Sequence, residues 1–203
     1  MLFFWAVELG LKYEPYGKNG LFYEMQLALA NKLIFVKWRE ALGGNLTTMV
    51  SGSAALQPRL ARIFSAAKMQ IMEGYGLTET SPVVSVNMYK GHLFKIGTVG
   101  KPIGNVEVKI AEDGEILVKG PNIMLGYYKD PEKTESVMTG DYFHTGDKGE
   151  IDADGFLKII SSRFGFMVGV NKPLSIPQTS GVSSNLLIIS HLPKLTFPLS
   201  ISF

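Results

Sequence analysis

The stretch Leu46-Thr47-Thr48-Met49-Val50-Ser51-Gly52-Ser53-Ala54-Ala55-Leu56-Gln57-Pro58-Arg59-Leu60-Ala61-Arg62-Ile63-Phe64-Ser65-Ala66-Ala67-Lys68-Met69-Gln70-Ile71-Met72 decides the fold. Residues 46–50 form a short apolar run that predicts a strand, 58–67 predicts a helix with proline in its first turn, and 69–72 predicts a second strand. That order is a βαβ unit, whose strands run parallel through a right-handed crossover. The loops that follow the two strands then leave the sheet at one edge, where open α/β sheets bind their ligands. Those loops are Ser51-Gly52-Ser53-Ala54-Ala55 and Glu73-Gly74-Tyr75-Gly76-Leu77-Thr78-Glu79-Thr80.

Upstream, Leu21, Met25, Leu29, Leu33 and Val36 recur at helical spacing, which predicts an amphipathic helix over 21–40 with Asn19 near its start as a cap and Gly43-Gly44 beyond its end. The apolar opening, Met1 to Val7, reads as buried core because Glu8 interrupts it far short of a membrane span and no basic segment precedes it. Downstream of Pro82 the pattern becomes short alternating segments. Residues 106–110 and 115–119 around Glu112-Asp113-Gly114 predict a β-hairpin. Further strands near Phe143 and over 156–159, punctuated by Gly146-Asp147 and Asp154-Gly155, predict a small, largely antiparallel barrel or sheet beside the α/β part.

The chain has 203 residues, 46% of them hydrophobic, enough for one substantial core or parts of two. A formal charge of +2 from 20 basic and 18 acidic residues gives no reason to expect nucleic acid as a partner. Cysteine is absent, which excludes disulfides, thiolate metal sites and a cysteine nucleophile, and points to a cytoplasmic protein. Asn45-Leu46-Thr47 matches a glycosylation acceptor by chance in such a context.

Two segments carry chemistry. Within residues 74–80, glycines Gly74 and Gly76 permit close backbone approach, Thr78 can donate to a phosphate oxygen, and Glu79 can hold a hard cation such as magnesium. The competing reading makes the glycines a turn and Glu79 and Thr80 a cap. In the second segment, residues 142–147, Asp147 follows Gly146 at a strand end and can accept two ribose hydroxyls; a solvated turn is the alternative. His144 reads as a partly buried neutral histidine, since no second histidine or cysteine is placed to share a metal. Residues 97–102 lack the spacing of a phosphate-binding P-loop and read as a turn.

Taken in order, the stretches 51–56, 75–82, 97–103, 114–121, 126–128, 142–147 and 154–159 resemble the adenylate-forming (AMP-binding) enzymes, and among them the long-chain fatty acyl-CoA synthetases. The resemblance covers residues 1–160. It implies an α/β fold, part of the large N-terminal domain of such an enzyme with a β-barrel-like subdomain, and no C-terminal domain. It also implies a two-step reaction in which a fatty acid and Mg-ATP give acyl-AMP and pyrophosphate, and coenzyme A then displaces AMP. By motif match, Thr78 would contact phosphate, Glu79 would hold magnesium, Asp147 would bind the ribose hydroxyls, and Gly52-Ser53 and Gly74-Tyr75 would flank the adenine, with Tyr75 against the base. The expected partners are fatty acid, ATP and coenzyme A, with at most peripheral membrane association in the parent enzyme.

The sequence departs from the family at both ends. No Ser/Thr/Gly-rich phosphate loop ending in Pro-Lys stands upstream of the matched region. After residue 159 the family's Asp-Arg-x-Lys pattern is replaced by Ile160-Ser161-Ser162-Arg163, which places Ser162 at the arginine position. All 18 acidic residues lie at or before Asp154, so residues 161–203 read as a compositionally foreign, poorly folded tail. An out-of-frame or read-through terminus explains it, a divergent native extension being the alternative. The expectation is a fragment inactive by itself, against two alternatives: a non-catalytic nucleotide- or acyl-binding module, and an adenylation domain for another carboxylic acid.

Overall fold

The computed structural model describes residues 1–46, 48–52 and 56–162. The expectations for Ser53, for Arg163 and for the 161–203 tail beyond Ser162 lie outside the described residues. Helix α1 (Leu2–Leu11) is followed by α2 (Leu21–Ala30), a π-helical turn (Asn31–Phe35) and α3 (Val36–Ala41). The βαβ unit then appears in the expected order: β1 (Thr48–Ser51), α4 (Pro58–Ala66) and β2 (Gln70–Tyr75). Glu73, Gly74 and Tyr75, expected in the loop, belong instead to β2, because Gly74 and Tyr75 pair with a further strand at Val86 and Ser85. β1 and β2 are parallel, with Met49 opposite Ile71 and Ser51 opposite Glu73.

Two short strands, β3 (Ser85–Val86) and β4 (Lys101–Pro102), extend this sheet, β3 pairing antiparallel with β2 and β4 with β3, in the order β1-β2-β3-β4. The segment 97–102 is thus a turn that runs on into a strand. The second sheet holds the expected hairpin, β5 (Glu107–Ile110) with β6 (Glu115–Lys119), whose turn is tied by Asp113 Oδ1 accepting from the Glu115 amide at 3.0 Å. Helix α5 (Pro131–Ser136) leads to β7 (Met138–Thr139), β8 (Tyr142–Ile151) and β9 (Leu157–Ser161). The sheet order is β5-β6-β8-β7 with β9 also on β8, all pairs antiparallel, so the β-barrel-like subdomain is open between its outer strands. The two sheets join through backbone bonds from the Val99 amide to the Leu157 carbonyl and from the Leu157 amide to the Gly100 carbonyl, at 2.9 and 2.8 Å.

The core of the first unit gathers Ala6, Leu9, Leu27, Ala30, Phe35, Met49, Met69 and Ile71 between the helices and the β1-β2 pair. Helix α1 meets α4 at Gly10, where a Cβ would lie 3.3 Å from the Ile63 Cα. A second core of Val84, Ile116, Val118 and Leu157 holds the β subdomain.

Three expectations are corrected. The helix over 21–40 is present but its buried face is not the expected one: Asn31 donates from Nδ2 to the carbonyls of Leu27 and Ala66 at 3.0 and 2.8 Å, and the π-helical turn that begins there shifts the helical register. The buried stripe is consequently Leu27, Ala30, Asn31 and Phe35, whereas Leu21 is 80% and Met25 65% exposed, and Leu29 and Leu33 are exposed too. Asn19 does not cap α2; its side chain instead bridges the Lys12 carbonyl and the Glu14 amide. The apolar opening is helical but not buried core, because Met1, Leu2, Phe3 and Phe4 are exposed while Ala6, Leu9 and Gly10 face inward. Among the described residues no helix is long and apolar enough to cross a membrane.

Candidate functional site

Gly52 follows β1 directly, and Gly74 and Tyr75 close β2. Because Ser51 pairs with Glu73 in parallel register, the two loops leave the sheet side by side. Among the described residues, a Cβ on Gly52 would meet nothing within 4 Å. Gly76 differs. A Cβ on it would lie 1.6 Å from the Pro82 carbonyl oxygen, so the chain's own turn already requires glycine here. Gly74 is likewise close-packed, with Ser85 O at 3.3 Å from a Cβ position.

Thr78 and Glu79 sit on a single 3-10 turn (Thr78–Thr80). Thr78 is exposed and Glu79 half-buried. Thr80 Oγ1 accepts from the Leu77 amide at 2.9 Å, so the capping reading also holds for Thr80. Glu79 Oε1 accepts a hydrogen bond from the Tyr127 hydroxyl at 3.0 Å.

Asp147 lies within β8, not at a strand end as the Gly-Asp pair suggested. Leu117 pairs with His144 and Glu115 with Lys148, so β8 carries extra residues at this point, and Gly146 takes φ +74° to accommodate the bulge. The bulge turns Asp147 inward, where it is 3% exposed. Its Oδ2 accepts from the Tyr75 hydroxyl at 2.8 Å, and its amide donates to Thr145 Oγ1 at 3.1 Å. Burial, reinforced by the nearby Asp147 and Glu115 carboxylates, holds the Tyr75 phenol far above its ordinary pKa, so it remains a donor at every physiological pH. The side chain expected to face an adenine thus also ties the end of β2 to the bulge in β8. His144 is held between Glu115 Oε2 on Nδ1 and Thr139 Oγ1 on Nε2, both at 2.8 Å, a contact between neighbouring strands.

Sequence reading missed Glu73. It is 6% exposed, and Oε1 accepts from the Leu56 amide at 3.2 Å, which fastens β2 to the end of the loop after β1. Burial pushes its carboxyl up to about 7, the Leu56 hydrogen bond opposing only in part. The signal available in the sequence was its place in strand alternation, inward beside Ile71. Tyr127, absent from the expected site set, was missed as well; it reaches Glu79 from 48 residues away in sequence.

No group of three or more His, Cys, Asp or Glu side chains converges among the described residues. Magnesium commonly takes one or two protein carboxylates and completes its shell with phosphate oxygens and water. Glu79, half-buried and hydrogen-bonded to the Tyr127 hydroxyl, can supply one such ligand. The described residues do not fit a closed, all-protein metal cage.

Residues 19–128 match the family model described as AMP-binding enzyme. The chain is 43% identical over 143 residues to the long-chain-fatty-acid–CoA ligase FadD15 of Mycobacterium bovis, a match that covers 70% of this chain and 24% of that protein. It therefore spans about a quarter of the length of the curated relatives it matches. Among solved structures, apo MatB from Rhodopseudomonas palustris superposes with a TM-score of 0.52 at 36% identity, covering 57% of this chain and 25% of that one. O-succinylbenzoate coenzyme A synthetase from Bacillus subtilis, in complex with ATP and magnesium ion, gives 0.52 at 28% identity, covering 60% and 27%. With its family model matched over more than half of its residues and its βαβ loops, Glu79 turn and Asp147 bulge in one fold, this chain belongs to the AMP-binding, adenylate-forming enzyme family.

Proposed function

We propose that the chain is the nucleotide-binding part of an ATP-dependent, AMP-forming fatty acid–CoA ligase. The observation that carries the reading is the 2.8 Å bond from Tyr75 to Asp147, which brings two motif segments 72 residues apart into one polar cluster. In this reading the loops at Gly52-Ser53 and Gly74-Tyr75 flank the adenine, Thr78 donates to a phosphate oxygen, and the Asp147 carboxylate accepts the ribose hydroxyls. Glu79 holds Mg²⁺, whose charge offsets that of the triphosphate during attack by the fatty acid carboxylate. Coenzyme A is the second-step acceptor. The names of the relatives support fatty acid as the acid class, and the cysteine-free sequence supports a cytoplasmic setting with at most peripheral membrane contact.

Residues 1–160 act in this proposal as a partial adenylation domain, and 161–203 as a divergent tail without a role in the site. Two family elements that hold the ends of the triphosphate, the Pro-Lys loop and the lysine-bearing domain, belong to parts of the relatives outside the quarter of their length that these 203 residues match. Loss of one preorganised electrostatic contact commonly costs about 10²- to 10³-fold in rate. Two together take turnover down by roughly 10⁴- to 10⁶-fold where the effects add. Fatty-acid-dependent pyrophosphate release, measured beside an intact ligase of the family, tests this. The expected rate is at least a thousandfold lower; a rate within tenfold of the intact enzyme overturns the reading of the chain as an incomplete catalyst.

A further inference from the structure

The turn that carries Glu79 is gripped from outside by residues 122–127, none of which belongs to the expected site set. Residues 122–127 leave β6 and cross to the other sheet. Asn122 Nδ2 donates to the carbonyls of Thr80 and Val83 at 2.9 and 3.0 Å. The Met124 amide donates to the Glu79 carbonyl at 2.8 Å, and the Tyr127 hydroxyl reaches Glu79 Oε1 at 3.0 Å. A single 3-10 turn has too few internal bonds to fix its side chains. Here its backbone is held at Glu79 itself and at Thr80 and Val83 beyond it, and one carboxylate oxygen is engaged, with no hydrogen bond to Oε2 among the described residues.

Tyr127 is itself anchored. Its amide donates to Thr134 Oγ1 at 2.9 Å, Thr134 Oγ1 donates in turn to the Asp130 carbonyl, and the Lys133 ammonium stands 4.2 Å from its ring centroid. The preceding Gly126 has φ +146°, and a Cβ there would meet the Thr134 side chain at 3.1 Å, so this approach of the segment to α5 requires glycine. A tyrosine fixed in this way, hydrogen-bonded to one oxygen of a carboxylate, selects the rotamer of that carboxylate and points its second oxygen in one direction. Outer groups that orient a metal-binding carboxylate typically change metal affinity or activity by about 10- to 100-fold when removed.

We propose that Tyr127 is a positioning residue for the magnesium-binding function of Glu79, with Asn122 and Met124 as the struts that hold the turn. The inference rests on the reading of Glu79 as the magnesium carboxylate. In physical terms, the Gly126-Tyr127 pair sets the direction of the carboxylate before Mg-ATP arrives, so that ordering it does not subtract from binding.

Calorimetric titration of the full 203-residue chain with ATP at a series of Mg²⁺ concentrations, and with AMP in the absence of magnesium, separates the possibilities. Tyr127→Phe is expected to weaken the magnesium-linked gain in ATP affinity by about 10- to 100-fold. AMP affinity and the urea unfolding midpoint should change little, as they should in the control Tyr128→Phe, whose side chain is exposed. Glu79→Gln should abolish the magnesium-linked gain, and adding Tyr127→Phe to it should cause no further loss. A full magnesium response in Tyr127→Phe, with that response lost in Glu79→Gln, overturns the positioning role and leaves the reading of Glu79 standing. A full response in Glu79→Gln overturns both, as does the absence of any magnesium-linked gain in the unsubstituted chain. If Tyr127→Phe lowers the midpoint, an equal fall in AMP and Mg-ATP affinity marks a merely structural role and overturns the proposal.

Discussion

The Tyr75 hydroxyl and Asp147 Oδ2, 2.8 Å apart, join the end of β2 to the bulge of β8. Asp147 is buried, and the Tyr75 hydroxyl is one of the donors that offset the cost of burying its carboxylate. Tyr75→Phe removes that donor while keeping the ring. Hydrogen bonds to charged groups contribute about 1.5–3 kcal/mol, and urea unfolding at pH 7 should show a loss of that size. A change below about 0.5 kcal/mol, less than an ordinary neutral hydrogen bond contributes, would mean that Asp147 is satisfied without Tyr75.

Glu73 links stability to pH. Its folded pKa, about 7, lies above the ordinary carboxyl value of 4.5, so the folded state binds the extra proton. The stability from this group is therefore fully present below pH 4.5 and is lost as pH rises through 7, by up to ~3 kcal/mol. Glu73→Gln keeps an acceptor for the Leu56 amide and cannot ionise. The variant should be more stable than the parent at about pH 8 and nearly equal to it at about pH 5; a stability difference that does not vary between these two pH values contradicts the assignment.

The position of Gly76 makes a strong steric prediction. With the Pro82 carbonyl oxygen 1.6 Å from a Cβ position, Gly76→Ala forces the backbone of the turn apart. Overpacking against backbone costs about 3 kcal/mol or more where nothing can yield. Thermal unfolding of this variant should begin well below that of the parent, and an unchanged midpoint would show that the turn is not held as described.

The exposed apolar face of α2 also has a measurable consequence. Leu21, Phe22 and Met25 are 80%, 75% and 65% exposed, and α1 adds Leu2, Phe3 and Phe4. An apolar surface of this extent promotes association. Phe22→Ser with Met25→Lys should lower the sedimentation-average mass of the isolated chain and change its stability by no more than about 0.5 kcal/mol. Unaltered self-association would place the sticky surface elsewhere.

How far the sequence carried these conclusions depended on whether a contact was local. Pro58, the small-residue loops and the spacing of apolar residues announced the β1-α4-β2 unit, and Asp113-Gly114 announced the hairpin, because each signal acts within a few residues. The π-helical turn was not legible: it begins at Asn31, whose side chain reaches the Ala66 carbonyl, a partner 35 residues away. Gly146-Asp147 resembled a turn because a bulge inside a long strand uses the same residue pair. The motif residues Thr78, Glu79 and Asp147 were identified from resemblance, but the bonds that orient two of them, from Tyr127 and Tyr75, arise only when the two sheets meet.

The central claim is that the Asp147 cluster belongs to a nucleotide site. Equilibrium binding of AMP and of its 2′,3′-dideoxy analogue, to the parent chain and to Asp147→Asn, tests it most directly. A hydrogen-bonded charge contributes about 1.5–3 kcal/mol, so the parent should favour AMP over the analogue by roughly 10- to 100-fold, and Asp147→Asn should abolish most of that preference. Equal affinity of the parent chain for AMP and the dideoxy compound, or a preference that survives in Asp147→Asn, would contradict the account.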